Sequence, residues 1–146
     1  MLIRDMLEVD LDMVCKIEEE TFSDPWSKTS FLKSISDANN HYLVAIIDSK
    51  LVGYCGYYGV SGEGYIYNVA VDKDYRRQGI GYQMLVELIK KAEARGITAL
   101  TLEVRQSNMA AIHLYKRLGF SQEGIRKDFY TKPIEDAIIM WRNPIQ

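Results

Sequence analysis

The sequence predicts a mixed α/β fold, an α+β sheet with helices packed against it. Three observations carry that class. Strand-like and helix-like segments run in the order β-α-α-β-β-β-α-β-α-β-β along 146 residues. One long amphipathic helix joins two strands, as a crossover connection does. The composition, 47% hydrophobic and 26% charged, is that of a folded chain and excludes disorder and collagen-like repeats. A chain of this size buries roughly 68–70% of its unfolded surface, enough for a core without staples. Pro25, Pro133 and Pro144 are scattered, and no linker, repeat or low-complexity tract intervenes. Residues 1–146 are therefore expected to form one domain.

The first element is a short strand at Leu2–Arg4. A helix follows from Asp10, its N-cap, with Leu11, Val14, Cys15 and Ile17 on one side. Asp24 and Pro25 break the chain near Trp26, and Ser27 caps a second short helix containing Phe31, Leu32 and Ile35. His41–Ile47 is apolar and β-branched. Leu51–Val60 pairs with it through Asp48-Ser49-Lys50, a hairpin-length turn. Gly64–Val71 follows, with the aromatic and β-branched content that strands favour. A long helix begins near Gly79. Its Ile80, Met84, Leu85, Leu88, Ile89 and Ala92 make an apolar stripe, and Gly96 ends it. Thr98–Val104 is a strand. Ser107 or Asn108 caps a helix through Leu118, closed by Gly119, and strands at Phe120–Tyr130 and Ala137–Arg142 finish the chain.

The net charge of −2 gives no reason to expect nucleic acid or an anionic membrane as a partner. Cys15 and Cys55 lack CxxC or Cys/His metal spacing, so reduced thiols and no metal are expected. The start, MLIRDMLEVD, has no apolar core of a signal peptide, and no window approaches the roughly 18 apolar residues of a membrane span. A cytoplasmic monomer is the expectation.

Three places carry chemistry. Arg76-Arg77-Gln78-Gly79-Ile80-Gly81 lies between a strand and an amphipathic helix. The first helical turn has N–H groups without partners, the glycines admit a phosphate to the backbone, and the arginines add charge. The stretch is neither a Walker A loop nor GxGxxG, and a solvated helix start fits the spacing equally. Glu103 ends an apolar strand on the face of Thr101 and Arg105. It is either a surface carboxylate paired with Arg105 or a partly buried general base. Tyr115 shares a helix face with Ile112 and Leu118. It is either a packed aromatic or a phenol facing a cleft as a proton donor. Glu18, Glu19, Glu20 and Asp24 precede Trp26 and are either a solvated helix end or an attraction for a basic peptide.

From Ile66 through Phe120 the chain resembles the GNAT N-acetyltransferase superfamily. YNVAVDKDYRRQGIG is similar to its acetyl-CoA strand and pyrophosphate loop, and SNMAAIHLYKRLGF to its cofactor-facing helix. Over nearly its whole length the chain is similar to one branch, the bacterial ribosomal-protein-alanine N-acetyltransferases. Pro25-Trp26-Ser27, Asn68-Val69-Ala70-Val71-Asp72, Leu102-Glu103-Val104-Arg105, Ser107-Asn108, Arg126, Tyr130 and Glu135 through Met140 carry that likeness. Phe129 stands where that branch has a second tyrosine, and the connection Thr131–Ile134 is short.

The resemblance implies the GNAT fold: a mostly antiparallel mixed sheet, helices on both faces, and splayed fourth and fifth strands with acetyl-CoA threaded into the opening. It implies that the backbone of Val69, Ala70 and Val71 holds the pantetheine arm. Arg76 and the run Arg77, Gln78, Gly79, Ile80, Gly81 and Tyr82 would bind pyrophosphate, and the Asn108 side chain would touch the cofactor arm. Glu103 resembles the general base and Tyr115 the general acid, with Trp26 and Tyr130 beside the peptide. The implied substrate is a protein with a free N-terminus, a ribosomal protein by the closer likeness. A lysine or small-amine acetyltransferase and a non-catalytic CoA-binding regulator are the alternatives.

Overall fold

The computed structural model describes residues 1–143, so Pro144 lies outside the described residues. The strands are β1 (Leu2–Asp5), β2 (His41–Ile47), β3 (Lys50–Val60), β4 (Glu63–Val71), β5 (Ala99–Arg105), β6 (Ser121–Thr131) and β7 (Ile134–Arg142). The helices are α1 (Leu11–Thr21), α2 (Lys28–Ser36), α3 (Ile80–Ala94) and α4 (Met109–Arg117), with single 3-10 turns at Glu8–Asp10 and Lys73–Tyr75. One sheet holds the strands in the order β1-β2-β3-β4-β5-β7-β6. Every pairing is antiparallel except β4 with β5, which α3 joins as a parallel crossover.

Each face of the sheet buries its own apolar set. Leu43, Val52, Cys55, Ile66, Leu100 and Leu102 pack under α3 and α4. Tyr42, Val44, Tyr54 and Ala70 pack under α1 and α2. The predicted α3 stripe, Ile80 through Ala92, is buried throughout. Local chemistry sets the ends. Ser27 Oγ accepts from the Ser30 N–H at 3.1 Å, and Asn108 Oδ1 accepts from the Ala111 N–H at 3.2 Å, so both cap helices. The β2–β3 turn is two residues, Asp48 and Ser49, both at positive φ, because Lys50 already pairs with Ile47.

Asp10 stands at the N-cap of α1, as expected, but its side chain makes no capping bond there. It closes the 3-10 turn instead, its carboxylate accepting from the Leu7 N–H at 2.8 Å and from both Arg4 terminal nitrogens at 2.8 and 2.9 Å. Burial alone would raise this carboxyl; the bonds from Arg4 and Leu7 outweigh it and hold it below the ordinary range.

The sheet opens between β4 and β5. Their pairing covers only Glu63↔Ala99, Gly64↔Leu100 and Tyr65↔Thr101. Beyond that, β4 follows β3 and β5 follows β7 through Arg105. A bulge on β4 accompanies the split: Gly56 faces Asn68 while Tyr57 faces Ile66, so Tyr67 is the extra residue. Gly56 is required here, because a Cβ would run into the Tyr42 ring. The same tyrosine donates its O–H to Asn68 Oδ1 at 3.1 Å and fixes the bulge from below. The bulge reverses the alternation of β4. Ile66 faces α3 and α4, whereas Ala70 lies in the core beneath α1 and α2.

Candidate active site

The bulge decides which backbone groups meet the gap. Asp72 N–H bonds to Val52 O at 2.7 Å, so residue 72 faces β3. In an antiparallel ladder the bonded residues alternate, so Ala70 also faces β3 while Val69 and Val71 direct N–H and C=O into the gap. Of the three residues expected to hold a cofactor arm by backbone, Ala70 turns its peptide groups to β3 and its side chain to the core under α1 and α2. The Val71 carbonyl is capped by Arg76 Nε at 3.1 Å.

The loop after β4 forms an open cradle. Arg77 and Gly79 both take left-handed φ, 63° and 78°. An added Cβ at Gly79 would meet nothing within 4 Å, so glycine is there for its φ and not for lack of space. Gln83 N–H closes the first helical bond on Gly79 O at 3.1 Å, leaving the N–H groups of Ile80, Gly81 and Tyr82 without intrahelical acceptors. A Cβ at Gly81 would touch only Leu114 and Val71, at 3.6 and 3.8 Å. The packing alone does not demand a glycine, and its absence of side chain keeps the cradle shallow. Arg77 and Gln78 are exposed, and the Ile80 side chain is buried, so Ile80 offers its backbone only. The Tyr82 ring lies under the Arg117 guanidinium at 4.6 Å. These residues fit an anionic diphosphate: orphan donors, a helix N-terminus and a free guanidinium converge. Asn108 spends Oδ1 on its helix cap, so only its Nδ2 is left to face a ligand.

Glu103 and Tyr115 lie on opposite faces of β5. Leu102 and Val104 point into the core that holds Tyr115, and Glu103 points the other way. The Glu103 partner is Arg126 Nε at 3.5 Å, not Arg105. Across the gap its charge is felt by Tyr67, whose phenol is raised first by burial and then by Glu103. Tyr115 is 8% exposed and packs edge-on to Phe120, ring centroids 5.8 Å apart. Its phenol is raised by burial, then by Tyr130 and Cys55. The Tyr115 hydroxyl has no bonding partner, yet no fully enclosed side-chain polar atom among the described residues goes unpaired. The hydroxyl oxygen is therefore not fully enclosed. Tyr130 stands between the two groups. Burial and then Glu103 push its phenol up to about 12.

The rim is aromatic on the α1–α2 side. Trp26 meets Phe31 at 5.3 Å and Tyr67 at 6.1 Å, tilted against both, and Tyr67 stacks on Tyr65 at 6.1 Å. Nothing in the spacing of β4 marks Tyr65 or Tyr67 for this rim, which only the fold assembles. On the other side Phe129 meets Tyr130 edge-on at 5.1 Å and carries Arg126 above its face at 5.6 Å. Glu18 is buried and structural. It accepts from the Tyr54 O–H and from the Trp26 N–H at 2.9 Å, so only Glu19, Glu20 and Asp24 of the acidic run are exposed. Glu18→Gln keeps one acceptor where two donors converge. It is expected to destabilise the fold by about 1–3 kcal/mol, read as a lower urea midpoint at unchanged m-value. An unshifted midpoint would show that the Trp26 loop is held by other contacts.

Among the described residues no cluster of three His, Cys, Asp or Glu could hold a metal, and no helix is long and apolar enough to cross a membrane. Cys15 and Cys55 are free thiols.

Residues 11–120 match the acetyltransferase (GNAT) family. A Bacillus subtilis (strain 168) relative, provisionally named a ribosomal protein bS18-alanine N-acetyltransferase, is 43% identical over 143 residues, 95% of this chain and 93% of its own. The ribosomal protein bS18-alanine N-acetyltransferase of Escherichia coli (strain K12) is 39% identical over 133 residues, 90% of this chain and 89% of its own. The crystal structure of the E. coli ribosomal-protein-S18-alanine N-acetyltransferase superposes with a TM-score of 0.89 at 37% identity, covering 97% of this chain and 92% of that one.

Proposed function

The chain belongs to the GNAT acetyltransferase family, and on that premise we propose that it moves the acetyl group of acetyl-CoA to the N-terminal α-amine of a protein, the N-terminal alanine of ribosomal protein bS18. The observation that carries the reading is the split sheet. The backbone of Val69 and Val71 borders the gap, and Glu103 and Tyr115 lie on opposite faces of β5. The whole chain acts as one catalytic domain, in the cytoplasm where ribosomal proteins are made.

In this reading the loop from Arg77 to Tyr82 takes the diphosphate of acetyl-CoA, and Val69 and Val71 hydrogen-bond its arm. Arg76 swings from the Val71 carbonyl when that carbonyl takes a new donor. The amine nitrogen attacks the thioester carbon directly; the C–N bond forms and the C–S bond breaks. Glu103 receives the amine proton, alone or through water, and the gap-facing N–H groups of β4 stabilise the charge developing on the carbonyl oxygen. Tyr115 donates its O–H to the departing sulfur. Neither cysteine borders this route in a form fit for covalent catalysis: burial pushes the Cys55 thiol up, away from thiolate.

An α-amine suits a single carboxylate. Its pKa of about 7.7–8.0 leaves roughly a tenth neutral at pH 7, against about one part in 2,500 for a lysine at about 10.4. The difference is about 3–4 kcal/mol. The discriminating experiment incubates the protein with acetyl-CoA and three amines: a peptide beginning Ala-Arg, the same peptide N-terminally blocked with an internal lysine, and a polyamine. Mass spectrometry is expected to find one acetyl group, on the free N-terminus. Modification of lysine or polyamine alone, or acetyl-CoA binding without turnover, would overturn the reading.

A further inference from the structure

Arg105 ends β5 on the same face as Glu103. Its Nη1 donates to Pro133 O and to Glu135 Oε1, each at 3.1 Å. Its Nη2 donates to Lys132 O at 3.2 Å and to Ser23 Oγ at 3.3 Å. The guanidinium lies over the Tyr130 ring, 4.3 Å from its centroid. These partners come from separate pieces of chain. Ser23 is in the loop between α1 and α2 that carries Trp26. Lys132 and Pro133 form the β6–β7 turn, and Tyr130 is the next-to-last residue of β6. Glu135 also accepts the Ser107 N–H at 2.6 Å, which extends the network to the loop before α4.

A lone exposed ion pair would contribute little. This side chain is only 24% exposed and joins two carbonyls, a hydroxyl, a carboxylate and a ring. Only a planar fork meets so many acceptors at once; an ammonium offers a point charge with fewer donors. The walls it joins stand on either side of Glu103, one bearing Trp26 and the other Tyr130.

We propose that Arg105 is a positioning residue that sets the width of the groove receiving the substrate peptide, tying the α1–α2 loop to the β6–β7 turn and seating Tyr130. It acts beyond the first amino acid of the substrate and touches neither the acyl carbon nor the diphosphate cradle. The inference rests on the acetyl-transfer reading above.

The test compares Arg105→Lys with wild type on two amines, a longer peptide beginning Ala-Arg and alaninamide, which has no chain to fill the groove. In the variant the KM for the peptide is expected to rise about tenfold with kcat within about threefold, since two or more charge-assisted bonds are lost. The KM for alaninamide and the Kd for acetyl-CoA stay as in wild type. Hydrogen exchange quickens at 22–27 and 131–135. An unchanged peptide KM overturns the proposal, and so does an equal rise for both amines, which would mean general damage to the site. Unchanged exchange in both segments overturns it whatever the activity. Wild-type protein that binds acetyl-CoA and acetylates neither amine overturns the acetyl-transfer reading and the groove with it. Arg105→Met, read by the same exchange, covers the case in which lysine recovers part of the network.

Discussion

Tyr115→Phe is expected to lower kcat by about 10²–10⁴ and to leave acetyl-CoA affinity within about twofold. The substitution removes one oxygen from a ring whose packing against Ile112, Leu118 and Phe120 stays intact, so the loss is chemical and not structural. That oxygen has no hydrogen-bond partner in the protein and is not fully enclosed. Burial raises the phenol above its ordinary value near 10, so the O–H is present throughout the physiological range. A thiol of cysteine-like acidity, about 8.5, is the stronger acid, so full transfer to the departing sulfur runs uphill by at least about 2 kcal/mol. That is small beside the barrier of about 13–17 kcal/mol that typical turnover numbers imply. The O–H first stabilises the growing thiolate by hydrogen bonding and completes transfer as the C–S bond opens. The variant should keep the wild-type pH profile below about pH 10 at reduced height. Near-wild-type kcat, measured under saturating acetyl-CoA, would return Tyr115 to the status of a packed aromatic.

How far the sequence reaches depends on the range of the interaction that decides each feature. Ser27 and Asn108 cap their helices as expected because a side chain and an amide three residues on decide it. The α3 stripe is likewise a matter of spacing along one helix. Asp10 fails that test in an instructive way. Its carboxylate has a local acceptor role available and takes a different one, because Arg4 on the neighbouring strand adds charge from the other side. Glu18 reads as solvated beside Glu19 and Glu20, and only the fold brings Tyr54 over it. The bulge at Tyr67 is invisible in β4 alone, since an extra residue exists only relative to Gly56 and Tyr57 of the partner strand. The turn of Ala70 towards β3 follows from that. Glu103 and Tyr115 stand out in the sequence only through the resemblance; the parting of the sheet after Tyr65 and Thr101 is not written there, because it is a matter of strand pairing.

Glu103→Gln should cut kcat/KM for the α-amine peptide by about 10²–10⁴ at neutral pH, with acetyl-CoA binding unchanged. The amide preserves size and one acceptor but cannot take a proton. The side chain is 16% exposed and ion-paired to Arg126 at 3.5 Å, so the substitution frees an arginine that is itself well solvated and costs little stability. What distinguishes a base from a mere anchor is the response to pH. If Glu103 relieves the ammonium of its proton, the variant must wait for amine that is already neutral. That fraction grows about tenfold per pH unit until the α-amine pKa near 8. The ratio of wild-type to variant kcat/KM should therefore shrink as pH rises from about 6 towards 8 and flatten beyond. An anchor that only orients an amine already neutral would leave the ratio constant, since both rates then follow the same neutral fraction. A ratio that stays constant across that range, with the fold intact by denaturation, would remove Glu103 from proton transfer and leave the gap-facing N–H groups of Val69 and Val71 as the principal source of rate.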